Sequence, residues 1–135
     1  MPRRVVVTGL GAMSPNGIGK NNFWQNTCNG ISGIDRISSF DPTGLSCQIA
    51  GEIEDFDPSE YYSGPDLKKL SRSVPLAIAA SKEALHDSAI DLKQFDEDDF
   101  ESLGVIVGTG GAGFDFSEQQ FEIYFSDRKN KISPY

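Results

Sequence analysis

The order of its segments predicts an α/β domain built on parallel strands. Three observations carry this. Arg4 to Thr8 is a short β-branched run that ends at Gly9. Leu103 to Val107 is a second apolar run, broken at Gly108. Between them, Ser73 to Ser88 places apolar residues at helical spacing. Runs without a polar face fit strands of a parallel sheet that helices cover on both sides.

The other segments fit around this frame in chain order. Gly9, Gly11 and Gly17, with Pro15 among them, predict a long turn after the first strand. Lys20 to Asn29 is predicted as a helix with Phe23, Trp24 and Cys28 on one side, and Gly30 is placed to stop it. Ile31 to Pro42 reads as irregular, and Leu45 to Ile53 as a weakly extended arm of a small hairpin. Phe56-Asp57-Pro58 turns the chain, and Pro65 to Leu70 is expected as a short helix. In the helix over Ser73 to Ser88, Ser73 is expected as the cap and Pro75 suits the first turn. Val74, Ala77, Ile78, Ser81 and Leu85 form the expected buried stripe. Asp91 to Glu101 is an acidic connection, and Phe114 to Ser126 is a final helix before a polar tail. A further strand is expected after that helix. Two strands are too few for a covered parallel sheet, so residues 1–135 read as the incomplete first part of a domain.

The chain has 135 residues, a net charge of −8 and a pI of about 4.5. That balance argues against non-specific binding to nucleic acid or membrane surfaces. No apolar run approaches the roughly 18 residues of a membrane span, and Val5 to Val7 is too short for a signal-peptide core. A cytoplasmic protein is expected. Cys28 and Cys47 are the only cysteines and form no CxxC pair, so buried free thiols are expected rather than a disulfide framework or a zinc site.

Several features invite a chemical reading. Gly108, Gly110 and Gly113 fit GxGxxG between a strand and a helix, a pattern also found in dinucleotide sites. The acidic residue at the fitting distance, Asp127, follows no strand, so a tight strand-to-helix turn is the preferred reading. Gly9 and Gly11 lack the third glycine, because Ser14 stands there, and no GxxxxGK[ST] loop occurs. His86 is the single histidine and falls at a helix end, where a cation is favourable. Asp96 to Asp99 with Glu101 lacks the alternation and glycine of a calcium loop, and is expected to be solvated, with aspartates capping helices. Lys68, Lys69 and Arg72 are a basic cluster in an acidic chain, which suits an acidic partner or a solvated helix face. No catalytic set can be assembled from these residues.

Arg3 to Gly17, reading RRVVVTGLGAMSPNG, resembles the opening of the β-ketoacyl-acyl-carrier-protein synthases, above all the type II elongating enzymes. The likeness continues in order through Phe23-Trp24, Gly30 to Ile34, Phe40-Asp41, Ala50 to Glu52, Ala77 to Ala80, Ala84-Leu85, Asp87-Ser88, Gly108 to Gly110 and Lys131 to Tyr135. It implies a thiolase-like fold, of which residues 1–135 would supply a partial first half: two parallel strands with a helical and hairpin insertion, and an incomplete sheet. The implied activity is fatty-acid or polyketide chain elongation. An acyl group on an active-site cysteine condenses with malonyl carried on acyl carrier protein, and two histidines assist. The resemblance puts that cysteine and both histidines beyond Tyr135, so it assigns no catalytic residue, metal or cofactor here. It sets Gly110, Gly111, Ala112 and Gly113 beside the acyl-chain pocket, near a homodimer interface. It sets Lys68 and Lys69 where acyl carrier protein docks. A non-catalytic truncated or interaction protein and a dinucleotide-binding fragment are the alternatives to this reading.

Overall fold

The computed structural model describes residues 2–64, 70–111 and 113–126. The short helix expected over Pro65 to Leu70 lies almost wholly outside them.

Helices form where the local signals are strongest. α1 (Lys20–Cys28) ends at Asn29, and Gly30 follows at φ 68°, the left-handed position that closes a helix. α2 (Ser73–Ser88), α3 (Glu97–Glu101) and α4 (Phe114–Ser126) follow. α3 is the helix hidden in the acidic connection. Asp96 accepts from the Asp99 N–H and Asp99 accepts in return from the Asp96 N–H, a reciprocal cap. Asp91 and Asp57 cap single 3-10 turns at Leu92–Gln94 and Pro58–Glu60. The aspartates therefore act as helix caps, as expected.

The strands differ from expectation. Neither Arg4 to Thr8 nor Leu103 to Val107 joins a ladder, and Val5 and Ile106 are 93% and 99% exposed. The physical reason is that a β-branched run becomes a buried strand only when neighbouring strands take its N–H and C=O groups and helices cover its faces. Among the described residues, nothing supplies either. The ladders that do form are short and antiparallel. β1 (Met13–Ser14) pairs with β2 (Gly17–Ile18) inside the predicted turn. β3 (Asp35–Arg36) pairs with β4 (Ile49–Ala50), and the Ile37 N–H extends it to the Gln48 carbonyl at 3.0 Å. The expected hairpin arm is thus present, and its partner is the stretch read as irregular. Beside it Glu52 accepts from Ser39 and Ser38, whose hydroxyls and N–H groups hold its carboxyl down to about 2.

α2 is the centre of the packing, but through a different face. Ala79 is fully buried and Pro75 is buried with it, whereas Val74 and Leu85 stay 37% exposed. The partner of α2 is the glycine turn. A Cβ on Gly9 would stand 2.1 Å from the Ala84 carbonyl oxygen, and one on Gly11 would stand 1.9 Å from that of Ala80. Backbone lies directly on backbone, so the contact face needs alanines and glycines rather than the largest apolar side chains. That is why the bulky stripe is not the buried one. Trp24 on α1 is likewise 66% exposed, and Cys28 and Cys47 are both exposed, contrary to the expectation of buried thiols.

Two carboxylates on α2 fasten this contact. Glu83 accepts the Ala12 and Lys20 N–H groups, one on each oxygen, both at 2.8 Å. Asp87 accepts the Leu10 N–H at 3.0 Å and pairs with the Lys20 ammonium. No helix among the described residues is long and apolar enough to cross a membrane.

Candidate functional site

The second glycine turn leads from the exposed run at Val105 to Val107 into α4. Gly108 and Gly110 have open space where a side chain would begin. Gly113 sits at φ 95°, which favours glycine, and α4 starts at the next residue. Gly111 differs from these. A Cβ there would meet the Phe114 ring at 2.7–2.9 Å, so that ring already fills the space beside the glycine. Phe114 is 75% exposed. The Gly111 N–H reaches the Thr109 hydroxyl at 3.4 Å.

Asp115, in the first turn of α4, fixes the end of this turn. One of its oxygens accepts from the Ser71 hydroxyl at 2.6 Å, and the other from the Arg72 N–H at 2.9 Å. These donors, the Ser71 hydroxyl first, lower the Asp115 carboxyl below the usual range against the cost of desolvation. Arg72 precedes the first residue of α2 and has no side-chain cap of its own. Ser73, the expected cap, is instead the first residue of α2; its hydroxyl meets that of Ser71 at 2.9 Å and its N–H donates to the Ser71 hydroxyl at 3.4 Å. The carboxylate therefore sits at the N-terminal ends of two helices, where negative charge is favoured. The Arg72 guanidinium also donates to the Ile53 carbonyl in the chain just after β4. A cavity of about 210 Å³ opens at this junction, lined by Phe56, Pro58, Leu70, Arg72, Pro75 and Asp115.

Gly110, Gly111 and Gly113 thus stand on one exposed to half-buried turn. Ala112, Lys68 and Lys69 lie outside the described residues, as does Asp127. The residues that follow Lys69, namely Leu70, Ser71 and Arg72, meet the residue that follows Phe114. His86 is exposed on the last turn of α2, and Cys28 closes α1 at its C-terminal end. Sequence reasoning missed Glu83, Asp87 and Asp115. For the first two a signal existed: they lie four apart on α2, so one face brings both to the same neighbour. For Asp115 the only signal was an acid in a first turn.

The chain matches the family model "Beta-ketoacyl synthase, N-terminal domain" over residues 2–134. It is 33% identical over 133 residues to 3-oxoacyl-[acyl-carrier-protein] synthase 2 of Synechocystis, covering 98% of this chain and 31% of that one. It is 37% identical to the protein of the same name from Vibrio harveyi, with the same coverage. To the tetracenomycin polyketide synthase ketoacyl synthase beta subunit of Streptomyces glaucescens it is 35% identical, covering 99% of this chain and 32% of that one. The solved ishigamide ketosynthase/chain length factor superposes with a TM-score of 0.59 at 33% identity, over 72% of this chain and 23% of that one. The chain therefore spans about a third of the length of the curated relatives it matches. The family match runs through both glycine turns and α2, so the GxGxxG spacing belongs to that domain. The chain belongs to the β-ketoacyl synthase family, in the part that forms its N-terminal domain.

Proposed function

We propose that this chain is the N-terminal part of a condensing enzyme that extends an acyl thioester with malonyl units carried on acyl carrier protein. The observation that carries this reading is the family match over residues 2–134, supported by relatives named 3-oxoacyl-[acyl-carrier-protein] synthase 2. In the reaction the acyl chain is held as a cysteine thioester. The malonyl group loses carbon dioxide, and the resulting enolate attacks the thioester carbonyl. A carbon–carbon bond forms, the cysteine leaves as thiolate, and the β-ketoacyl product stays on the carrier. Such a nucleophile is favoured at a helix N-terminus. Cys28 stands at the opposite end of its helix, and Cys47 lies in an exposed loop. Neither is assigned the role, and the reacting cysteine and histidines are assigned to the part of the protein that this third does not span. A homodimer in the cytoplasm belongs to the same reading.

Gly110, Gly111, Ala112 and Gly113 are proposed as a wall of the acyl pocket. A larger residue at position 111 would displace the Phe114 ring and narrow the space beside it. In the full-length protein, Gly111→Ile is expected to shorten the longest acyl chain accepted. For that substrate kcat/KM should fall about tenfold or more, as blocked methylenes do in a pocket. An unchanged chain-length profile would remove these residues from the pocket.

Lys68 and Lys69 are proposed to dock the acidic carrier protein. Reversing both charges should raise the KM for the carrier about tenfold and flatten its dependence on salt. A constant KM across the salt series would leave the pair as a solvated face. The 35% identity to the tetracenomycin subunit favours a polyketide pathway as the second reading. Mass spectrometry of products made with fatty-acid and polyketide carrier proteins separates the two pathways.

A further inference from the structure

We infer that Asp115 is a positioning residue through which α2 sets the place of the Gly110–Gly113 turn, and so the acyl-chain preference of the enzyme. The inference rests on the reading that this turn lines the pocket. It concerns what holds the turn in place.

Gly108, Gly110 and Gly113 carry no side chain, and each has open space where a Cβ would stand. The turn ends in a left-handed glycine joined directly to α4. A backbone of this kind has many accessible conformations and takes its position from what anchors its ends. At its C-terminal end the anchor is Asp115, two residues past Gly113. Both carboxylate oxygens are used, one by the Ser71 hydroxyl at 2.6 Å and one by the Arg72 N–H at 2.9 Å. The donors belong to the start of α2, which is itself fixed by the close approach of Gly9 and Gly11 further along. Arg72 adds a third segment by donating to the Ile53 carbonyl. A carboxylate that joins two helix ends and takes two converging donors fixes direction as well as distance. Alanine at 115 would remove both bonds. Asparagine would keep one acceptor and turn an N–H₂ towards the other donor.

The test uses the full-length protein and the ratio of kcat/KM for long and short acyl substrates. Asp115→Ala is expected to change that ratio about fivefold or more, in line with the cost of small misplacements near a reacting chain. Ser71→Ala, which removes one donor, should change it in the same direction by about twofold. A uniform fall in kcat/KM at every chain length would assign Asp115 a purely structural role and overturn the inference. Gly111→Ile serves as the comparison. If it shifts the profile and the Asp115 and Ser71 variants do not, the positioning role fails while the pocket reading stands. If none of them shifts the profile, the pocket reading fails and the inference with it. Should Asp115→Ala not yield folded protein, Ser71→Ala decides by the same criterion.

Discussion

Gly11→Ala is expected to destabilise the protein by about 3 kcal/mol or more, a cost typical of severe overpacking. The added methyl would fall 1.9 Å from the Ala80 carbonyl oxygen and 2.9 Å from the Ala84 nitrogen. Those atoms are helix backbone, so no rotamer change relieves the overlap. Either α2 moves away from the turn or the turn leaves α2. Movement of either kind would break the bonds from Leu10 and Ala12 to Asp87 and Glu83. The control is Gly30→Ala, at a site with open space and φ 68°. There the cost is only that of a left-handed alanine, roughly 1–2 kcal/mol. Urea unfolding of the polypeptide that carries residues 1–135 measures both. Equal losses for the two variants would mean that close approach is not what position 11 requires.

Glu83→Ala is expected to cost about 2–4 kcal/mol, because two charge-assisted bonds are lost from a part-buried position. The Lys20 N–H is one of the donors that the start of a helix leaves unmatched, and Gly19 before it offers no side chain. Glu83 thus caps α1 from a different helix while its second oxygen holds Ala12. Glu83→Gln keeps one good acceptor and should lose about half as much. Asp87 is more exposed than Glu83, and removing it should matter less than removing Glu83. The same unfolding experiment ranks the three variants. An Asp87→Ala loss as large as that of Glu83→Ala would contradict the assignment.

Those two residues also mark what a linear reading can recover. α1, α2 and α4 were legible almost to the residue, because period and the Gly30 stop are properties of neighbours in sequence, although Ser73 opens α2 rather than capping it. The face that α2 buries was not legible. The stripe of Val74, Ile78 and Leu85 is the more apolar one, yet the partner is glycine backbone, which selects small residues. The strands at Val5 and Ile106 were read from composition, but strand formation depends on a partner elsewhere, and none of the described residues supplies it. The hairpin arm at Ile49–Ala50 was found without its partner for the same reason. At the candidate site, the glycines were visible as a motif. Asp115 was not, because its donors lie 43 and 44 residues earlier in the chain.

The fastening of Leu10 to Asp87 also bears on timing during synthesis. The two residues are 77 apart, and Ala12 and Glu83 are 71 apart. At a ribosomal rate of about 5–20 residues per second, the first turn waits about 4–15 s before its clasp is made. Through that interval the valines at 5 to 7 travel as an adhesive segment beside the unclasped turn, and a holding chaperone has its clearest reason to bind there.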